Sequence, residues 1–348
     1  MAVDLSGGIS PEREYVFPAR PDEPDMRESV NAWIWDHGDV VGMPRIGVEA
    51  VGETWDSRDL QVNIAYADGR VVRLITTTPD AHSPIGPDGQ ATHFGGGGLA
   101  FDLVEPFRHW RMTFDGMAHE STSEAQIAGV WPEGEPDLPV QIEIDIRGAV
   151  PPWENGAMLD EARRVLEEQD EGALMGGPRY EQLSRATGVL RVGDTEHRID
   201  GGALRIRRQG IRRLGTFRGH VWQSALFPSG KAFGFIVYPE REDGLPTYNE
   251  GYVFDGDGEL IPAWVVDAPW LKKLAHAGQD ASVVIETARG THRIEAETMF
   301  SCFMVMGGVG SGSQGFPVLQ QCVTRFTWDG ETVNGMMERS MPSNLVES

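Results

Sequence analysis

Asp-Gly occurs eight times in this chain, at Asp68, Asp88, Asp115, Asp200, Asp243, Asp255, Asp257 and Asp329. Between these dipeptides lie short runs that alternate apolar and polar residues, with few stretches of helical period. Asp-Gly flanked by alternating runs is a hairpin signal, because a tight turn needs positive φ and glycine supplies it without steric cost. Val140, Ile142, Ile144 and Ile146, interleaved with Gln141, Glu143, Asp145 and Arg147, show the rhythm at its clearest. One face of such a strand is buried and the other is wet. Hairpins joined in series favour antiparallel up-and-down sheets over βαβ units. The expected fold class is therefore all-β, with two curved sheets or barrels and one or two short helices.

The stretch Phe94–Gly116 organises the first half. Gly95–Gly98 leads into Leu99, Phe101 and Leu103. A break at Glu105-Pro106 follows, then Trp110–Phe114, closed by Asp115-Gly116. The glycines lack the Lys-Ser/Thr of a phosphate loop and no helix follows, so neither a phosphate loop nor a dinucleotide fingerprint is present. A flexible rim at a pocket mouth is one reading and ordinary hairpin flexibility the other. Gly307–Gly312 reads the same way, as a lid or a plain loop. Ala157–Asp170 carries the best helical stripe in the chain, with Met158, Leu159, Ala162, Val165 and Leu166 on one side. Glycines at 172, 176 and 177 end it. A domain boundary is expected there, giving units of residues 1–178 and 179–348, with a short helical turn over 181–187.

The 348 residues are enough for two ordinary domains. With 53 acidic against 30 basic residues the net charge is -23, which disfavours nucleic acid and anionic membrane as partners. No window is apolar enough to span a bilayer, and the N-terminus lacks a signal pattern. Cys302 and Cys322 are the two cysteines. They fit a reduced cytoplasm, and whether they pair is open. No spacing of His and Cys suggests a metal, and no cofactor is expected. A homodimer is compatible with the sequence.

Phe94–Gly116, with Glu28-Ser29 upstream and Asn249–Gly256 downstream, resembles a family of uncharacterised bacterial proteins. That family is similar to the AttH-like and carotenoid hydratase (hydroxyneurosporene synthase) group. The resemblance implies two lipocalin-like barrels in tandem with an apolar ligand pocket in or between them. Related double-barrel proteins include hydratases and pericyclases that act on polyenes without a redox cofactor. Many relatives carry an Arg-Asp-His-Ser-Trp-Gly run in the second domain. Here the region from Gly210 to Trp222 lacks the Asp-His pair, and His220 and Trp222 lie further along.

Three residues are candidates for chemistry. His220, between Arg218 and Trp222, is either a general acid or base beside an aromatic wall or a hydrogen-bonded structural histidine. Glu250 is either a carboxylic acid of raised pKa in an apolar barrel, able to protonate an alkene, or a solvated residue at a strand start. Glu28 has the same two readings. Trp33, Trp35, Trp110, Arg218, Trp222 and Tyr248 are the candidate ligand-binding set, with Trp153 and Trp264 as further aromatic wall. Aromatic residues fill cores as readily as pockets. The expected activity is a cofactor-independent lyase, hydratase or isomerase acting on a terpenoid, steroid or aromatic catabolite. The alternative is a carrier for such a ligand. No Gly-x-Ser-x-Gly elbow stands between a strand and a helix, which disfavours a serine hydrolase.

Overall fold

The computed structural model describes residues 3–159, 178–211, 218–244, 246–305 and 317–347. The chain builds two antiparallel β units, as the hairpin rhythm requires. The first contains β1 (Met26–Asp36), β2 (Val41–Val51), β3 (Arg58–Tyr66) and β4 (Arg70–Thr78). It continues with β5 (His93–Gly96), β6 (Leu99–Glu105), β7 (His109–Thr122), β8 (Leu138–Gly148) and β9 (Trp153–Glu154). It ends with β10 (Arg179–Val192) and β11 (Thr195–Ile211). The order is β4-β3-β2-β1-β11-β10-β8-β7-β6-β5, with β9 on β10. The far end of β7 also pairs with β4, from Arg70↔Thr122 to Arg73↔His119, which closes a circuit of eight strands.

The second unit is a closed eight-stranded barrel. Its strands are β12 (His220–Leu226), β13 (Ala232–Val237), β14 (Asn249–Phe254), β15 (Ile261–Asp267), β16 (Val283–Thr287), β17 (Gly290–Met304), β18 (Val318–Trp328) and β19 (Glu331–Met341). β12 pairs with β19 to close it.

Several expectations shift. The boundary expected after residue 178 falls inside the first sheet, because β10 and β11 pair with β8 and β1; the two sheets divide between Ile211 and His220. Residues 181–187 are strand, not helical turn. The helix expected over Ala157–Asp170 lies outside the described residues beyond 159, as does the Gly307–Gly312 run. A five-residue helix, α1 (Ser123–Ile127), follows β7, capped by the Thr122 side chain accepting from Ala125 N at 3.1 Å.

The Asp-Gly signals divide by what their glycines do. Asp329 and Gly330 both take positive φ, 48° and 82°, and turn β18 into β19. Asp115-Gly116 and Asp200-Gly201 instead lie inside β7 and β11. At Gly201 a Cβ would lie 1.9 Å from Trp35 O, so glycine there permits close strand approach. The Gly95–Gly98 run is a packed hairpin between β5 and β6, with room for a Cβ at neither Gly95 nor Gly98. It is not an open rim. Cys302 and Cys322 lie on neighbouring strands, but Cys322 pairs with Ser301, so the two thiols fall on opposite faces and are free.

Candidate functional site

Strand alternation decides which side chains face the other barrel. On β1, Val30, Ala32 and Ile34 enter the core of the first barrel, while Trp33 and Trp35 join a second cluster together with residues of β12–β14, β17, β18 and β19. That second cluster is an aromatic layer between the barrels. It unites Trp33, Trp35 and Trp153 from the first unit with Trp222, Tyr248 and Tyr252 from the second. Trp33 meets Trp222 edge-on at 5.8 Å between ring centroids, and Trp153 meets Tyr252 edge-on at 5.6 Å.

Two carboxylates are buried in this layer. Glu250 on β14 is saturated with donors. Trp153 Nε1 (3.1 Å) and Met158 N (2.8 Å) bond to Oε1, and Gly156 N (2.8 Å) and Tyr248 Oη to Oε2. Four donors use its lone pairs. Glu250 is thus buried and not a solvated strand start: it staples residues 153–158 to the second barrel. Glu181 on β10 has fewer partners. Trp222 Nε1 donates to it at 3.0 Å, and Arg179 pairs with it while lying 5.0 Å from the centre of the Trp222 ring. Burial pushes the Glu181 carboxyl up, and the Glu250 charge adds to this; Arg179 and Trp222 pull it down without cancelling the rise. Tyr252 is likewise raised, by burial and by Glu181. Sequence reasoning passed over Glu181 because a helical turn was expected there. The alternation of Tyr180, Gln182 and Ser184 against Glu181 and Leu183 was the available signal.

Next to this pair lies a second polar group. His220 on β12 holds Glu338 through Nε2 at 3.0 Å and Ser340 Oγ through Nδ1 at 2.7 Å. Glu338 stands directly opposite Trp222 in the β12–β19 ladder, so the two groups adjoin. Gln321 Nε2 donates to Glu338 at 2.7 Å, and Gln321 Oε1 accepts from Asn63 of the first barrel at 3.2 Å. Asn63 Oδ1 in turn accepts from Arg73, whose Nη1 donates to Phe303 O at 2.7 Å. Burial alone would raise Glu338. The hydrogen bond and charge of His220, with Arg45 and Gln321, outweigh it and hold Glu338 at about 2. Arg45 has φ +69° in a bulge of β2. His220 is thus buried and hydrogen-bonded at both ring nitrogens.

The remaining candidates lie apart. Glu28 faces the interior of the first barrel, where Arg207, Gln209 Nε2 (3.0 Å) and Phe17 N (3.0 Å) bond to it. Trp110 is in the same interior and donates to Glu14 at 2.7 Å. Glu28 and Trp110 are thus separate from the layer. Arg218 is half-buried and donates to Thr247 Oγ1 at 3.2 Å. Trp264 is half-exposed on β15. Among the described residues no group of three or more His, Cys, Asp or Glu is placed to hold a metal ion. Nor is any described helix long and apolar enough to cross a membrane.

A family model described as a domain of unknown function (DUF7064) matches residues 10–343. Comparison with curated proteins returns no match. Among solved structures, the chain is similar to an AttH candidate from Nitrosomonas europaea, with TM-score 0.54, 13% identity and 92% of each chain covered. It is also similar to CghA, with TM-score 0.55 and 11% identity over 98% of this chain and 97% of that one. CghA solved with the compound Sch210972 gives the same TM-score and identity over 92% and 89%. At such identities the likeness is one of fold, and it bears out the AttH-like architecture expected from the sequence.

Proposed function

This chain belongs to the DUF7064 family, and from that premise we propose that it binds an apolar small molecule in the aromatic layer between its barrels and processes it by acid–base chemistry. The observation that carries this reading is Glu181: a buried carboxyl of raised pKa, set among indole and phenol rings. A carboxyl raised by burial keeps its proton to higher pH and can hand it to a substrate. Faces of Trp33, Trp153 and Trp222 would stabilise the positive charge that develops when an alkene is protonated. Hydration and double-bond isomerisation begin with that step, loss of water reaches the same cation when the acid protonates a hydroxyl that leaves as water, and none needs Glu250 or His220 to leave its present partners. CghA, which shares the fold, has been solved with a compound bound, in keeping with a small-molecule site. Two buried free thiols accord with a reducing compartment.

One observation favours the carrier instead. Glu250 and His220, two of the three candidates from the sequence, are committed to structural hydrogen bonds. The experiment is native mass spectrometry with a terpenoid, steroid and aromatic panel, followed by chromatography of the released ligand. Turnover by the wild type and binding without turnover by Glu181→Gln is the expected result. Bound ligand released unchanged by both would make the protein a carrier, and equal turnover by both would remove Glu181 from the chemistry.

A further inference from the structure

Trp33 and Trp35 set a chemical condition on what the layer can hold. Both are buried at 1% exposure on the face of β1 turned to the second barrel. Neither indole Nε1–H has an acceptor among the described residues. Their neighbours differ: Trp153 and Trp222 donate to Glu250 and Glu181. A buried N–H without an acceptor loses its bond to water and gains nothing in return, so it marks a place where a partner is missing. Glu250 cannot serve, because four donors already occupy its oxygens.

The position of Trp35 is built, not accidental. Gly202 stands opposite it in the β1–β11 ladder, and a Cβ at 202 would lie 2.4 Å from Trp35 Nε1 and 2.5 Å from Cε2. The indole therefore lies across β11 where only glycine leaves room for it. Trp33 is held edge-on against Trp222, whose Nε1 reaches Glu181. Both unpaired donors thus belong to the layer that contains the raised carboxyl.

We infer that the layer takes an oxygenated apolar molecule, a ketone, ester or lactone, whose carbonyl oxygens accept from the Trp33 and Trp35 indoles, and not a bare hydrocarbon. A carbonyl oxygen brings two lone pairs and no donor, which matches a surplus of donors; a hydroxyl would bring a further donor. The inference rests on the small-molecule reading above and narrows its substrate class.

Matched probes test it on the full chain: 5α-androstan-3-one against 5α-androstane, and 2-adamantanone against adamantane. Affinities are measured by native mass spectrometry for wild type, Trp33→Phe and Trp35→Phe. The ratio of ketone to hydrocarbon affinity cancels differences in aqueous solvation when compared across variants. One hydrogen bond corresponds to about a 5-fold change, so the ratio falls about 5-fold in at least one variant. Indole resonances in ¹H–¹⁵N spectra, assigned from the same variants, move downfield with the ketone and not with the hydrocarbon. Both probes binding with an unchanged ratio in both variants overturns the carbonyl inference alone. Failure of all four probes to bind the wild type overturns the small-molecule reading and this inference with it.

Discussion

Five buried carboxylates show how little residue type decides by itself. Glu14 and Glu28 sit inside the first barrel and are neutralised there by Arg205 and Arg207. Burial would raise Glu14, but Arg205, Trp110, Tyr180 and the Phe107 amide together hold it below the usual range. Glu250 is consumed by four donors, and Glu338 by His220 and Gln321. Glu181 is raised, by burial first and then by the Glu250 charge. Its folded-state pKa lies above the unfolded one, so protonation favours the fold at low pH, and that contribution is lost as pH rises through the folded value. Above about pH 4.5 the wild type is therefore expected to lose stability relative to Glu181→Gln as pH rises toward the folded value, by up to about 1.4 kcal/mol per pH unit. Urea midpoints of both proteins across that range check this; a difference that grows the other way would show the carboxyl to be lowered.

At the scale of the element, β1 is the strand on which both barrels depend. Its even positions pack inside the first barrel and Trp33 and Trp35 pack against the second. A one-residue slip would exchange these faces entirely. Gly201 and Gly202 on the paired strand admit the Trp35 backbone and indole. Gly202→Ala places a methyl within 2.6 Å of three indole atoms, so Trp35 must move. The expected cost is about 1–3 kcal/mol, the range for overpacking a filled core. It would appear as a lowered urea midpoint with an altered near-UV tryptophan signal. An unchanged signal would mean that Trp35 has another place to go. The β14 staple works on the same scale, since Glu250 collects the amides of Gly156 and Met158 and so fixes the chain beyond β9 to the other barrel.

Over the whole molecule, the barrels are joined by polar links as well as by the aromatic layer. Asn63 reaches Gln321, Arg73 reaches Phe303 O, and Ser123 Oγ donates to Ser301 O at 2.6 Å. Glu338 anchors one of these links, and its folded pKa of about 2 lies below the usual carboxylate range. Its contribution is therefore fully present above about pH 4.5 and is lost as pH falls toward 2. Acid is expected to weaken the molecule by on the order of 3 kcal/mol through this group, with a shallower acid slope for Glu338→Gln. Denaturant titrations at pH 5, 4, 3 and 2 measure both slopes, and parallel slopes would exclude Glu338 as the acid-sensitive link.

Period-two alternation and Asp-Gly turns are local properties, so the antiparallel all-β class and most of the strands are legible in the residues alone. Residue type and position also single out Trp33, Trp35, Trp222, Tyr248 and Glu250, which the layer does unite. Folding in three dimensions was needed to show that β10 and β11 close the first sheet, that Glu28 and Trp110 belong inside a barrel, and that the Glu181 carboxyl is raised. Those outcomes depend on which strands pair across long separations, such as Glu28 with Gln209, and on which donors reach a buried carboxylate. Neither the partner strand nor the number of donors is written in a residue's neighbours along the chain.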